Sequence, residues 1–288
     1  MIDTKDIRDR ILLLALKGEL VEQNPKDAPA IDLINEMCRK MAGRAFKPDF
    51  SADEVPYDLP SSWSWCRLSD IGSTNIGLTY HPEDVIENGV IVARSSNIVN
   101  GKMDYSDLVR VSCNVRENQY LNNSDILICA RNGSKALVGK CAIYEGISKT
   151  IAFGAFMAVF RTPLFRYVYY YFNTDVFKRN FISDDSKQIN QVTQYILKKS
   201  LIPIPPLEEQ KRIVKRIETI FEILDKIDTL QNQYAFNQEA LKSKLIDAAI
   251  QGKLTEQLPE DGTAEELYQT ISEKKKEMQK RKEIKNSK

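Results

Sequence analysis

The sequence is poor in the residues that build common catalytic and metal centres. Its 288 residues include one histidine, His81, and five cysteines without a Cys-x-x-Cys pair. A zinc site would lack its usual ligands, so we expect reduced, mostly buried thiols. No apolar run reaches the roughly 20 residues needed to cross a bilayer, and residues 1–5 have no signal-peptide character. These absences predict a cytoplasmic protein.

The charge balance is also uninformative on average, because the formal net charge is only +1. Binding to nucleic acid requires clustered Lys and Arg. Residues 61–200 hold 16 Lys and Arg against 12 Asp and Glu, and residues 272–288 hold 8 against 3. These modest local excesses permit DNA binding without establishing it.

A repeat frames the chain. Residues 7–34 match residues 241–268 without gaps, at an offset of 234 residues and with nine identities in 28 positions. Each copy has an apolar helix that ends at a glycine, Gly18 or Gly252, then a polar turn and a second helix. Each copy is therefore predicted to be a helical hairpin, and the spacing is too long for a solenoid of 20 to 50 residues per unit.

A long helix is predicted from Leu207 to Gln251, after the segment 202–206 whose prolines prevent helix. Its 45 residues would extend about 65 Å, or about two turns of B-DNA. The helix has a heptad seam and a second apolar stripe, so we expect it to pack against more than one partner. The seam consists of Ile213, Ile217, Ile220, Leu224, Ile227 and Tyr234, and the stripe of Val214, Phe221 and Leu230.

The middle of the chain has a different pattern, with short apolar runs between Gly, Asn, Asp and Ser. These runs are typical of strands, and the aromatic segment 165–181 favours a helix packed on the sheet. The predicted class is α+β, with one globular mixed module and long antiparallel coiled-coil-type helices. The predicted strands are 90–93, 125–130, 139–144 and 155–160.

Four segments together resemble the specificity subunits of type I restriction-modification systems. Residues 59–68 (LPSSWSWCRL) are similar to the start of a family domain, and residues 202–210 (IPIPPLEEQ) to its junction with a spacer helix. Residues 93–98 and 125–134 resemble recurrent strand-loop segments. The junction is the most specific of these signals.

The resemblance implies a half-subunit, either natural or truncated, because full-length members have two target-recognition domains and this chain has one. It implies residues 1–45 as a helical hairpin, 46–205 as the target-recognition domain and 206–288 as the conserved spacer. The implied partners are double-stranded DNA, methyltransferase subunits and, through them, restriction subunits. We expect a homodimer that reads a two-fold symmetric split site, and no cofactor on this chain, since S-adenosylmethionine would bind the methyltransferase subunits.

Base contacts are expected from polar side chains in loops that follow strands. Arginine fits guanine, and Asn or Gln fits adenine, while lysine contacts phosphate. Two loops are the first choice, and a third segment rich in amides ranks below them; Tyr80 and His81 are not preferred. The candidates are Arg94, Ser95, Ser96, Asn97, Arg131, Asn132, Ser134, Lys135, Lys187, Gln188 and Asn190.

The residues bear on three alternative functions. A fused adenine methyltransferase would need a cofactor-binding glycine loop and an Asn or Asp-Pro-Pro-aromatic segment, and the sequence has neither. A nuclease would need acidic residues and a Glu-x-Lys triplet on a sheet, whereas residues 283–285 lie in a charged tail. A coiled-coil interaction scaffold without DNA specificity remains open, and salt-dependent DNA binding would distinguish it.

Overall fold

A computed structural model describes residues 1–146, 150–181, 191–256, 258–281 and 283–284 of the chain. It divides into two compact units, Met1–Asp225 and Lys226–Lys288. The first unit holds sheets and helices, which confirms the mixed α+β class. The division of the chain at residues 45 and 205 stays a prediction. None of the helices in the described ranges combines the length and apolarity that a membrane crossing requires.

The helices of the described residues lie before, between and after the strands. They are α1 (Thr4–Lys17), α2 (Ala30–Ala42), α3 (Leu68–Ile71), α4 (Phe165–Phe172), α5 (Asp175–Lys178), α6 (Gln194–Lys199), α7 (Leu207–Ile250) and α8 (Ala264–Lys280).

Among the described residues, the strands lie between residues 64 and 204 and form four small sheets. Their orders are β1-β11, β2-β10-β7-β8, β6-β3-β9 and β4-β5. The strands are β1 (Ser64–Arg67), β2 (Ser73–Ile76), β3 (Val85–Ala93), β4 (Ile98–Val99), β5 (Lys102–Met103), β6 (Val109–Val111), β7 (Ile126–Cys129), β8 (Cys141–Ile143), β9 (Ile151–Phe153), β10 (Met157–Arg161) and β11 (Leu201–Ile204).

Helix α1 of the first hairpin ends at Gly18, as the sequence predicts, and begins at a side-chain cap that the structure adds. The Asp3 carboxylate accepts a hydrogen bond from the Asp6 amide at 3.0 Å and caps α1. Gly18 adopts φ +75° after the last turn, and its amide donates to the Leu14 carbonyl. A Cβ at Gly18 would also lie 2.6 Å from Cγ of Pro60. Glycine at this position therefore allows α1 to end in a left-handed conformation and allows the hairpin to pack closely on the module.

One part of the core of the first unit lies between the four-stranded sheet and α4. Strands β7 and β10 are almost wholly buried. Phe160 of β10 meets Phe172 of α4 edge to face at 5.5 Å, and Phe177 of α5 packs on Phe172 at 4.6 Å. Each buried aromatic side chain contributes about 1.5–3 kcal/mol of hydrophobic stabilisation. This aromatic layer holds the sheet that carries the loops described below.

One local prediction needs correction, and one strand was not predicted. The helix predicted over 165–181 is broken after Phe172, because the Thr174 hydroxyl accepts from the Phe177 amide at 3.3 Å and starts α5 as a new N-cap. The proline-rich entry to α7 is partly a strand, β11, which pairs antiparallel with β1 and sets Pro203 opposite Trp65. Proline is tolerated because each member of a two-stranded sheet has a free edge.

The long helix is confirmed as α7. In the first unit, Ile213, Ile217 and Leu224 are buried, as the heptad seam predicts. In the second unit, Leu230 and Tyr234 are 64% and 61% exposed. The thiols match their prediction, since all five cysteines are free and only Cys113 is not buried.

Candidate nucleic-acid interface

Four loops of the first unit meet at one edge of its sheets, which we call the loop edge. The loops follow β2, β3, β7 and β9 and comprise residues 77–81, 94–97, 130–138 and 154–156. Backbone hydrogen bonds join them, from Leu78 N to Phe153 O at 2.7 Å, from Gly154 N to Ala93 O at 3.0 Å and from Ala130 N to Phe156 O at 2.9 Å.

Close backbone contact fixes the middle of the loop edge. A Cβ at Gly77 would lie 2.2 Å from the Phe153 carbonyl oxygen and 2.3 Å from that of Gly154. No side chain fits there without displacing a loop. Gly77 thus allows the loop after β2 to lie directly against the turn between β9 and β10.

The first predicted loop, residues 94–97, is held by a buried amide. Asn97 is 1% exposed, and its Oδ1 accepts from the Arg94 amide at 2.8 Å. Its Nδ2 donates to the carbonyls of Asp104 at 3.0 Å and Asp107 at 2.8 Å. These three bonds use both donors of the Asn97 amide and its oxygen, and the side chain is buried. We therefore assign Asn97 to holding the loop and do not propose it as a base contact.

Arg94 and Ser96 differ in their exposure and in their contacts with other side chains. Ser96 is exposed. Arg94 Nη2 donates to the Asp107 carboxylate at 2.8 Å, and its side chain is 36% exposed. Its Nε is buried without a partner among the described residues. Contact of Arg94 with a base would therefore require its guanidinium to share or leave Asp107.

The second predicted loop is more exposed and is tied to the first. Asn132 Nδ2 donates to the Ser95 hydroxyl at 3.0 Å, and its Oδ1 accepts from the Ser134 amide at 2.9 Å. Arg131, Ser134 and Lys135 are exposed. The structure therefore brings together the two loops that are 37 residues apart in the sequence.

The third predicted segment lies mostly outside the described residues, which exclude Lys187, Gln188 and Asn190. Its described end reaches the loop edge. Gln191 Oε1 accepts from Arg131 Nη2 at 2.7 Å, and the Val192 amide donates to the Ala130 carbonyl at 2.9 Å. Gln191 thus orients the Arg131 guanidinium at the surface.

The charge of the loop edge is positive. Its four segments contain Arg94, Arg131 and Lys135 and no Asp or Glu, but the charge of Arg94 is paired with that of Asp107 just outside them. Arg131 and Lys135 therefore supply the positive charge of this surface. Behind the second loop, burial raises the pKa of the Cys129 thiol, and Sγ lies 3.6 Å from the Arg131 carbonyl oxygen. That thiol is protonated at neutral pH and supports the loop. A surface with positive charge and polar side chains fits phosphate and base edges.

Phe156 is a residue of the loop edge that the sequence analysis missed. It occupies the turn between β9 and β10 and is 62% exposed. The sequence assigned residues 155–160 to a strand, and only the register of β10 with β7 places this turn beside Arg131. His81 is exposed and Tyr80 half-buried in the loop after β2.

A second surface holds the first helical hairpin on the module. Buried Glu209 of α7 accepts from Gln23 Nε2 at 2.6 Å and from Trp63 Nε1 at 3.1 Å. Arg212 donates to the Asp27 carboxylate at 2.6 Å. The first copy of the repeat therefore packs on the two segments that resembled family signatures, residues 59–68 and 202–210, and on the helix that follows.

The second copy of the repeat exposes the face that the first copy buries. Leu12, Leu16 and Ile34 are 4%, 2% and 0% exposed. Their counterparts Ile246, Ile250 and Tyr268 are 52%, 80% and 70% exposed. The same helical pattern thus presents an apolar face without a cover among the described residues.

Comparisons with known proteins agree on one family. Residues 60–234 match the family model described as the type I restriction modification DNA specificity domain. The chain is 33% identical over 207 residues to the type I restriction enzyme EcoKI specificity subunit of Escherichia coli (strain K12), covering 69% of this chain and 44% of that protein. It is 26% identical over 266 residues to the EcoAI specificity subunit of Escherichia coli, covering 85% of this chain and 44% of that protein.

A solved structure supports the fold. A chain from work on complex assembly and conformational transition of the type I R-M system superposes with a TM-score of 0.57 at 20% identity, covering 87% of this chain and 58% of that one. The chain spans a little under half the length of the two curated relatives described above.

Proposed function

Because the chain belongs to the family of type I restriction-modification DNA specificity domains, we propose that it binds duplex DNA and reads one half of a split target sequence. The observation that carries the proposal is the convergence of four strand-end loops at one edge of the sheets. These loops carry Arg94, Arg131 and Lys135, of which Arg94 is paired with Asp107. Rigid strands position these loops, and base readout requires such positioning.

The proposed base-contact residues are led by Arg131. It is exposed, and Gln191 orients its guanidinium, so it can present two donors to guanine O6 and N7 in the major groove. Asn132 and Ser95 couple the loops, and we infer that Lys135 and Ser134 contact phosphate. Arg94 and Ser96 complete the set, and Lys187, Gln188 and Asn190 keep their proposed role as a third contact segment.

The chain selects DNA for other subunits that carry out the chemistry. Methyltransferase subunits would dock on the helices and bind S-adenosylmethionine, and restriction subunits would join through them. The chain itself then needs no catalytic residue and no cofactor. A cytoplasmic location, where the host DNA lies, accompanies this function.

A homodimer through the helices would complete the reading of a split site. The apolar face of the second unit supports this part of the proposal, because Leu230, Tyr234, Leu241 and Leu245 of α7 are between 47% and 64% exposed. They recur at helical spacing, as in the seam of an antiparallel helix pair. A monomer at micromolar concentration in light scattering, with and without DNA, would contradict the dimer.

The proposed function is tested by the salt dependence of DNA binding. Fluorescence anisotropy with a random duplex pool, from about 50 to about 200 mM salt, should show affinity falling steeply as phosphate counterions are released. Lys135→Ala should weaken binding to all sequences alike and reduce the slope of log affinity against log salt concentration by about 0.9. Arg39→Ala, at an exposed position on α2, is the control and should change neither quantity.

Binding that is absent or independent of salt would contradict the proposal. That result would favour the alternative, a coiled-coil interaction scaffold without DNA specificity. Equal effects of Lys135→Ala and Arg39→Ala would leave general DNA binding intact and refute the placement of the interface at the loop edge.

A further inference from the structure

Phe156 is an apolar side chain in the middle of a polar, basic surface. Its backbone is fixed, because its carbonyl oxygen accepts hydrogen bonds from the Ala130 amide at 2.9 Å and the Arg131 amide at 3.0 Å. Its side chain is 62% exposed. The ring is therefore held at the surface beside the residue proposed to read guanine.

A single exposed apolar side chain is common and needs no explanation by itself. Two further observations distinguish Phe156. The loop edge around it carries the positive charge that brings a phosphate backbone close. A second apolar side chain lies on the neighbouring strand β2, where Ile76 is 50% exposed and pairs with Ala158, two residues after Phe156.

We propose that Phe156 contacts the C5-methyl group of a thymine in the half-site, next to the base pair read by Arg131. The thymine methyl is the one apolar group that the major groove presents, and phenylalanine is among the side chains that contact it. The guanine atoms that fit Arg131 lie in the same groove. Since the two residues share backbone hydrogen bonds, they should reach neighbouring base pairs.

This inference rests on the proposed function and adds one base preference to it. The test starts from a duplex pool with a randomised half-site, from which the wild-type chain selects its preferred sequence. Each thymine of that sequence is then replaced singly by deoxyuridine, which lacks only the methyl group. Binding of each duplex is measured for the wild type, Phe156→Ala, Phe156→Leu and Ile86→Ala.

We expect one thymine whose replacement weakens wild-type binding about fourfold, which corresponds to the hydrophobic free energy of burying one methyl group. The same replacement should have no effect on Phe156→Ala and an intermediate effect on Phe156→Leu. Ile86→Ala removes a 40% exposed apolar side chain near the other end of β3 and should behave as the wild type. All three variants should fold, because none of the removed side chains is buried.

The outcomes separate the two proposals. If no deoxyuridine weakens wild-type binding, or if Phe156→Ala responds as the wild type does, the thymine contact is wrong and the proposed function stands. If Phe156→Ala weakens binding to every duplex equally, the ring acts on the DNA backbone or as a wedge between bases. That result also contradicts the thymine contact. If the wild type selects no sequence, both proposals fail.

Discussion

Replacing Glu209 with alanine should loosen the first helical hairpin from the module. Glu209 is 1% exposed, and its two carboxylate oxygens accept from Gln23 Nε2 at 2.6 Å and Trp63 Nε1 at 3.1 Å. Both donors belong to segments that precede α7 by more than 140 residues. The carboxylate therefore joins three distant parts of the chain at one buried point.

The expected loss follows from what each donor can do afterwards. Trp63 is 5% exposed, so its indole N–H stays buried without an acceptor, at about 1–3 kcal/mol. Gln23 is exposed and can bind water, so its lost hydrogen bond costs only about 1 kcal/mol. The free energy of unfolding should fall by about 2–4 kcal/mol in total.

Urea denaturation followed by tryptophan fluorescence measures this loss. Glu208→Ala is the matched control, since Glu208 is exposed and pairs only at the surface with Lys211 at 2.6 Å, an interaction worth less than about 1 kcal/mol. A loss below about 1 kcal/mol for Glu209→Ala, or equal losses for the two variants, would refute the reasoning from burial.

Three further predictions concern the loops and the same carboxylate. Asn97→Ala removes three hydrogen bonds inside the loop edge and should lower the free energy of unfolding by about 1–3 kcal/mol in urea denaturation; a loss as small as that of an exposed substitution would contradict its structural role. Gly77→Ala sets a Cβ 2.2 Å from the Phe153 carbonyl oxygen and should reduce DNA affinity in anisotropy. Unchanged affinity would show that DNA binding does not depend on the close contact at Gly77. Burial raises the pKa of the Glu209 carboxyl above its ordinary 4.5, although its two hydrogen bonds act to lower it. The carboxyl therefore binds a proton more tightly in the folded chain than in the unfolded chain. The wild type should gain stability relative to Glu209→Gln as the pH falls from neutral toward 4.5, and a pH-independent difference in urea midpoint would disprove the raised pKa.

The helices could be predicted from the sequence because their signals are local. A glycine at a helix end, a repeated hairpin pattern and a heptad seam each act within a few turns, and α1 and α7 begin and end within a few residues of the predicted positions. The segment 165–181 was harder, because helix propensity alone does not reveal that the Thr174 side chain caps a new helix. Strand β11 was missed because proline argues against strands except at a free edge.

The loop edge could be predicted only in part. Polar loops after strands identified Arg94 and Arg131, but nothing local shows that they share one surface. That arrangement depends on the parallel pairing of β3 with β9, on the pairing of β10 with β7, and on the bond from Asn132 to Ser95. Asn97 fits adenine by residue type, and only its burial assigns it to the loop itself.

If the loop edge reads bases, Arg131→Ala should change the sequence that the chain selects, and sequence selection tests this most directly. Duplexes with a randomised half-site would be selected by the wild type and by the variant, and the enriched sequences compared. We predict that the wild type enriches a guanine that the variant no longer prefers, at a cost of about 1–3 kcal/mol for that duplex. Enrichment of the same bases at every position by both proteins would contradict the account.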